Sequence, residues 1–368
     1  MGTLRRFEVA GSPAAMGAAL GEHFRQEVRA LTESRIVHLL EFVARYDPAR
    51  KLSRRDVLAL ARQTVEAHRR YRPAIWEEFA AIARAADLSL EELLIGNGYT
   101  DFRDYALVAA GAAGAADRPV PGECSAFAVP AALAAGGLPI VGQTWDMDAD
   151  ARPFLVLLRR RPDDGPETLC LTTTGCLCLI GMNSEGLAVG NTNLVASDAR
   201  VGVNYLFTIT RALQCRSAAE AAEAIAATPR LSGHNFYAAD GREVINIEAS
   251  ATRCCRTTVA DQVLVHTNHF LCDSLAGFEL SRGLANSQWR YRRLSANFAA
   301  LRPPLSLDDC WRQLADNTRG DGAICNEDYE GTYGPAATLA TVVQCPARRE
   351  IHVCEGGARL GTREVLRM

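Results

Sequence analysis

Three short segments carry side chains that could make or break an amide without a cofactor. In Gly122-Glu123-Cys124-Ser125 a thiol stands where a Gly-, Ala- and Pro-rich stretch, GAAGAADRPVPGE over 111–123, gives way to β-type sequence. That composition makes a solvated connection rather than a helix or strand. By residue type alone Cys124 reads as one more small buried thiol among twelve cysteines; its position at the junction sets it apart. Scission of the Glu123–Cys124 bond would give Cys124 a free α-amine. Such an amine titrates at about 7.7–8.0, close enough to neutrality to act as base for its own thiol, so nucleophile and base would share one residue. In Gly142-Gln143-Thr144-Trp145-Asp146 a carboxylate follows a β-type run. It could cap a turn, or orient the α-amine or a polar group of a substrate. In His266-Thr267-Asn268-His269-Phe270 the histidines are three residues apart, a spacing that points them to opposite faces of a strand and argues against a shared metal. Asn268 reads either as a turn asparagine or as an amide that donates to a tetrahedral oxyanion.

Other chemistries fail on their motifs. Ser184 has Met182 two residues before it, so no G-x-S-x-G nucleophile elbow exists there. Gly96-Asn97-Gly98 lacks the third glycine of a dinucleotide fingerprint, and Gly320-Asp321-Gly322 reads as a turn. Lys51 is the single lysine, in the charged context of neither a Walker A loop nor a Schiff base, and the other 39 basic residues are arginine. We read that arginine bias as base composition. The cysteine pairs Cys176/Cys178 and Cys254/Cys255 fit no zinc knuckle. No metal or cofactor is expected. A net charge of −3 leaves no electrostatic footprint for nucleic acid or an anionic membrane. No run of eighteen apolar residues suggests a membrane span, and MGTLRRFEVAGSPAAMG has no signal-peptide h-region. These absences predict a cytoplasmic protein with reduced thiols.

The elements that must position these residues change character at Cys124. The first 110 residues read as helical. Met16, Leu20, Phe24, Val28 and Leu31 recur at helical spacing, Ser53 is an N-cap, Pro73 restarts the chain, and Ser89 with Glu92 is a capping box. After Cys124 come β-type runs at 125–130, 139–147, 154–160, 168–175 and 187–194, with GMNSEG at 181–186 as a turn. Helical sequence follows at about 205–226, strands at 234–240, 243–250 and 262–270, helix at about 280–315, and strands at 339–346 and 350–356. Hairpin-like strand pairs with flanking helices predict an α+β architecture.

Taken in order, these segments resemble the acyl-coenzyme A:6-aminopenicillanic acid acyltransferase (isopenicillin N acyltransferase-like) family, peptidase family C45 of the N-terminal-nucleophile hydrolases. Gly11-Ser12-Pro13 with Met16-Gly17 and Gly21 is similar to its glycine-rich opening. Cys124-Ser125, the Trp145-Asp146 segment, Gly181-Met182-Asn183 with Gly186-Leu187, His266-Thr267-Asn268-His269 and the terminal runs around Val342 and Val353 follow in the same order. The resemblance implies a four-layer αββα sandwich and a zymogen that cuts itself before Cys124. The products would be a helical chain, 1–123, and a β-rich chain, 124–368, that stay associated as one folded unit. It implies Cys124 as nucleophile, Asp146 and Asn268 as catalytic partners, and a late catalytic arginine for which Arg319 is the candidate. Trp145 and Arg319 are candidates for contacting substrate. The acyl donor would be a small molecule, a coenzyme A or carrier-protein thioester among the choices, the acceptor an amine or water, and the setting secondary metabolism. One position departs: the founding member has glycine before the cysteine, and this chain has Glu123. Glycine relaxes a strained scissile peptide more easily, and a neighbouring carboxylate raises a thiol pKa, so slow cleavage is expected.

Three readings follow: an amide-bond acyltransferase or amidohydrolase working through a Cys124 thioester; a dedicated hydrolase of small N-acyl amines or peptide-like metabolites; and a binding protein that keeps the fold without the chemistry.

Overall fold

The computed structural model of the chain describes residues 4–46, 51–111, 124–280, 284–319, 323–327, 329–331 and 334–368. The chain opens with a strand, β1 (Arg6–Gly11), where helix alone was expected. Five of its six residues are at least partly exposed, so it carries no apolar alternation to announce it. Six helices follow: α1 (Pro13–His23), α2 (Arg25–Tyr46), α3 (Arg54–Tyr71), α4 (Pro73–Ala86), α5 (Leu90–Asn97) and α6 (Tyr99–Ala109). Ser53 and Ser89 cap α3 and α5 through reciprocal bonds with Asp56 and Glu92, and Pro73 opens α4. The glycines of the opening segment let α1 lie directly on α4. A Cβ on Gly17 would collide with the Glu78 carbonyl, and one on Gly21 would come 2.7 Å from the Ile82 carbonyl oxygen.

Past Cys124 come β2 (Ala126–Val129), β3 (Ile140–Asp148), β4 (Leu155–Pro162), β5 (Thr168–Thr173), β6 (Ile180–Asn183) and β7 (Ala188–Leu194), then α7 (Tyr205–Ala212) and α8 (Ala218–Ala226). The strands β8 (Gly233–Ala239), β9 (Val244–Ala249), β10 (Cys254–Thr258) and β11 (Leu264–His266) precede α9 (Ala285–Ala299) and α10 (Leu307–Gln313). The chain closes with β12 (Tyr329–Gly331), β13 (Gly334–Cys345), β14 (Glu350–Glu355) and β15 (Glu364–Arg367). β6, β10, β12 and β15 were not read from the sequence. β6 runs into the GMNSEG turn, and β10 and β15 are edge strands with mostly exposed side chains.

Two sheets result. One runs β1-β4-β5-β6-β7-β8-β9-β10, antiparallel except for the parallel β1–β4 pair. The other runs β11-β2-β3-β13-β14-β15, antiparallel, with β12 on β13. They face each other through β3 and β7: Gln143 Nε2 donates to the Asn191 carbonyl at 2.8 Å, and Asn191 N donates to Gln143 Oε1 at 2.9 Å. Gly190 on β7 is what allows this approach, because a Cβ there would strike the Tyr237 hydroxyl and the Gln143 amide. Helices α7 and α8 lie on β7, β8 and β9, joined by α3 and α4 through Phe79, His68 and Phe207, and α9 and α10 lie on β11, β3 and β13. The order is helices, sheet, sheet, helices: a four-layer αββα sandwich. The largest apolar core joins residues on both sides of Cys124, from Met16 and Phe79 to Val342 and Val353. No helix among the described residues is long and apolar enough to cross a membrane.

Candidate active site

Cys124 sits at the entry to β2, 6% exposed. The next residue anchors it: Ser125 N donates to Thr144 Oγ1 at 3.1 Å and Thr144 N to the Ser125 carbonyl at 2.9 Å, which locks the cysteine onto β3. β3 carries Trp145 and Asp146, 7% and 3% exposed, into the same cavity as Cys124. The cavity has a volume of about 30 Å³, the room of about one water molecule. Asn191 and Asn193 on β7 and His234 on β8 form its opposite wall, and Arg35, Tyr99 and Thr100 reach it from α2 and α6. The N-terminal helices therefore contribute part of the wall. His234 Nε2 lies 2.6 Å from Asp101 Oδ1, a buried pair that ties α6 to β8.

Asn268 follows β11 and is fixed by three hydrogen bonds. Its backbone N donates to Ser287 Oγ at 2.8 Å, its Nδ2 donates to the Asn193 carbonyl at 3.0 Å, and its Oδ1 accepts from Arg290 Nη2 at 3.0 Å. Because a guanidinium only donates, that last bond fixes which end of the amide is oxygen. Among the described residues Nδ2 donates to the Asn193 carbonyl alone, which leaves its second N–H. The flanking histidines diverge. His266 Nε2 lies 3.2 Å from Glu248 Oε1, whereas His269 Nδ1 meets Ser287 Oγ at 2.8 Å. Burial drives the His269 ring down to about 4, helped by His266 and Arg290, so it is a neutral prop at pH 7. Burial pushes the Glu248 carboxyl up, but His266 and the backbone N–H groups of Cys272 and Leu271 outweigh it and hold the group below its usual range.

The arginine at this site is Arg290, on α9. Nη1 donates to the Cys124 carbonyl at 2.6 Å and to Ser125 Oγ at 3.0 Å, Nη2 to Asn268 Oδ1, and Nε to Asn286 Oδ1 at 2.6 Å. One fully buried guanidinium thus spans from the cysteine to the asparagine. The sequence candidate Arg319 lies elsewhere, exposed, with its guanidinium 5.1 Å from the centre of the Trp289 ring. Arg290, not Arg319, makes the contacts to Cys124 and Asn268. Glu123, the other half of the expected scissile bond, lies outside the described residues.

The profile of the acyl-coenzyme A:6-aminopenicillanic acid acyl-transferase family matches residues 134–360. The chain belongs to that family. The matched stretch holds Asp146, Asn268 and Arg290, while Cys124 and the N-terminal helices precede it. Within the family, the acyl-coenzyme A:6-aminopenicillanic-acid-acyltransferase 40 kDa form of Emericella nidulans is 25% identical over 248 residues. That match covers 66% of this chain and 65% of the relative, just under two thirds of its length. Among solved structures, a mutant of the conjugated bile acid hydrolase from Clostridium perfringens aligns with a TM-score of 0.44 at 12% identity, covering 67% of this chain and 92% of that one. Penicillin V acylase from Agrobacterium tumefaciens aligns with a TM-score of 0.44 at 12% identity, covering 66% and 84%.

Proposed function

We propose that this family member is a cysteine N-terminal-nucleophile enzyme that transfers or hydrolyses acyl groups through a thioester on Cys124. The observation that carries the reading is the Arg290 bridge between the Cys124 carbonyl and Asn268 Oδ1, with Asp146 in the same cavity. A buried cation there favours negative charge developing beside the thiol.

Maturation comes first. Cys124 Sγ attacks the Glu123 carbonyl carbon, the C–N bond breaks, and the Cys124 nitrogen takes a proton to become the free α-amine. Water then hydrolyses the resulting thioester, leaving a Glu123 carboxylate and the free thiol. In turnover the α-amine accepts the thiol proton and the thiolate attacks the substrate carbonyl. The remaining Asn268 N–H donates to the oxyanion, and the leaving group departs with the proton. Attack by water on the thioester gives an acid; attack by an amine gives a new amide. Asp146 orients the α-amine and Arg290 holds Asn268 in register. The donor is a small acyl compound, a coenzyme A thioester among the candidates by kinship with the Emericella nidulans relative. The two chains stay together, since apolar side chains from both sides of the cut share one core.

The test is to incubate the protein with an acyl thioester, quench in acid, and map the added mass. Acyl on Cys124, absent in Cys124→Ser, is the expected result. Labelling of another cysteine, or of none, contradicts the assignment.

A further inference from the structure

Nine of the twelve cysteines are buried; Cys254, Cys255 and Cys272 are not. Along a strand successive side chains alternate between faces. On β10 Cys254 and Arg256 are exposed and Cys255 between them is half-buried, so Cys255 turns inward. It is the register partner of Glu248 on β9. Directly opposed residues of an antiparallel pair share a face, with Cβ atoms about 4.5–5.5 Å apart. On that face the Glu248 carboxylate accepts from the backbone N–H groups of Leu271 and Cys272, both at 3.0 Å. Cys255 from β10 and Cys272 from the loop that follows Asn268 are thereby brought together. Both pack on one small core of Leu194, Ala196, Phe270 and Leu275, and the two thiols interact directly.

A second observation separates the two thiols. Cys272 Sγ lies 3.2 Å from Ser274 Oγ. Burial pushes the Cys272 thiol up, but hydrogen bonds from Cys255 and Ser274 outweigh it and bring the group below its ordinary value. Burial and the contact with Cys272 drive Cys255 up to about 11. Cys272 is therefore the thiol that ionises more readily, and Cys255 stands beside it as a second sulfur.

We propose that Cys255 and Cys272 are a reversible oxidation site whose disulfide slows acylation of Cys124. The effect on rate rests on the reading of Cys124 as the acylated thiol. The oxidant is a low-molecular-weight disulfide, RSSR. The Cys272 thiolate attacks one of its sulfurs, the S–S bond of RSSR breaks, and RS⁻ leaves a mixed disulfide on Cys272. The Cys255 sulfur, losing its proton, then attacks the Cys272 sulfur and a second RS⁻ departs. Two protein thiols are oxidised, one RSSR is reduced, and the two thiol protons end on two RSH. Closing the bond brings the sulfurs to about 2.0 Å and draws Cys272 toward β10. That strains the N–H bonds to Glu248 that hold the loop carrying Asn268, four residues before Cys272. A misplacement of about 1 Å at a reacting group costs on the order of 10²-fold in rate.

The test treats the full-length protein with glutathione disulfide, alkylates the remaining thiols and maps disulfides by peptide mass. A parallel sample, freed of reagent, is acylated with S-ethyl hexanethioate and followed by quenched intact mass. The expected result is a Cys255–Cys272 disulfide, with Cys124 acylation slowed by on the order of ten- to a hundredfold and restored after dithiothreitol and desalting. Cys255→Ser should stop at glutathione attached to Cys272. Cys272→Ser should form neither product and keep its rate through the treatment, and Cys254→Ser should behave as wild type. Absence of the Cys255–Cys272 disulfide in wild type, or an unchanged rate in the disulfide form, overturns the proposal. So does an equal loss of rate in Cys272→Ser, which would place the oxidation on Cys124 itself. If the reduced protein is never acylated, the thioester reading fails and the rate effect with it, while peptide mapping still decides the disulfide.

Discussion

Replacing Arg290 by glutamine removes the group that joins Cys124 and Asn268, the proposed nucleophile and oxyanion donor. The guanidinium makes charge-assisted bonds to the Cys124 carbonyl, Ser125 Oγ and Asn268 Oδ1 at 2.6, 3.0 and 3.0 Å. Hydrogen bonds to charged groups contribute about 1.5–3 kcal/mol each. Glutamine is shorter, has one NH2 group and no charge, so it cannot reach Asn268 and the Cys124 carbonyl together. Losing one preorganised donor at an oxyanion costs about 3–4 kcal/mol, which is on the order of 10²- to 10³-fold in rate. Arg290→Gln should therefore slow Cys124 acylation by that factor, measured by quenched intact mass, with urea unfolding run beside it to separate chemistry from stability. Arg319→Gln should react at the wild-type rate, because Arg319 is exposed over Trp289. Wild-type acylation by a folded Arg290→Gln protein would refute the assignment of Arg290.

Further predictions concern the frame. Gly21→Ala forces a methyl to 2.7 Å from the Ile82 carbonyl oxygen; overpacking of this kind costs about 1–3 kcal/mol, read as a lower urea midpoint. Glu78→Gln leaves the Arg160 guanidinium buried without its counterion and should destabilise by about 3–5 kcal/mol, whereas a double Glu78→Leu, Arg160→Met variant should recover most of that. Burial lowers His68 to about 4, and its ring is held neutral with Nδ1 donating to the Thr64 carbonyl and Nε2 accepting from Asn204 N. Its folded pKa lies below the unfolded value of about 6.5, so the unfolded chain binds the extra proton first. Stability should fall by about 3 kcal/mol as pH drops from 6.5 to 4, and His68→Phe should flatten that slope in a pH series of urea melts.

The sequence shows Cys124, Asp146 and Asn268 because each ends or begins a β-type run beside a change of composition. Arg290 is hidden by the same physics that makes it useful. It lies on the stripe Ser287, Arg290, Leu294 and Phe298, the buried face of α9, in a segment, WRYRR, where Arg292 is exposed and Arg293 pairs with Asp316. A charge on an apolar stripe is the signal that finds it, and Arg35 among Leu31, Thr32, Ile36 and Leu39 on α2 carries the same mark. Helix boundaries at Ser53, Pro73 and Ser89 are legible because caps are local. The parallel pairing of β1 with β4 is not, because Arg6 meets Leu157 only through tertiary contact.

The most direct measurement is the intact mass of the purified full-length protein under denaturing conditions, beside Cys124→Ala. The account predicts two chains that break between Glu123 and Cys124 in wild type and a single chain in the variant. A single uncut wild-type chain that nevertheless turns over an acyl substrate would contradict it, because Cys124 would then lack the α-amine that serves as its base.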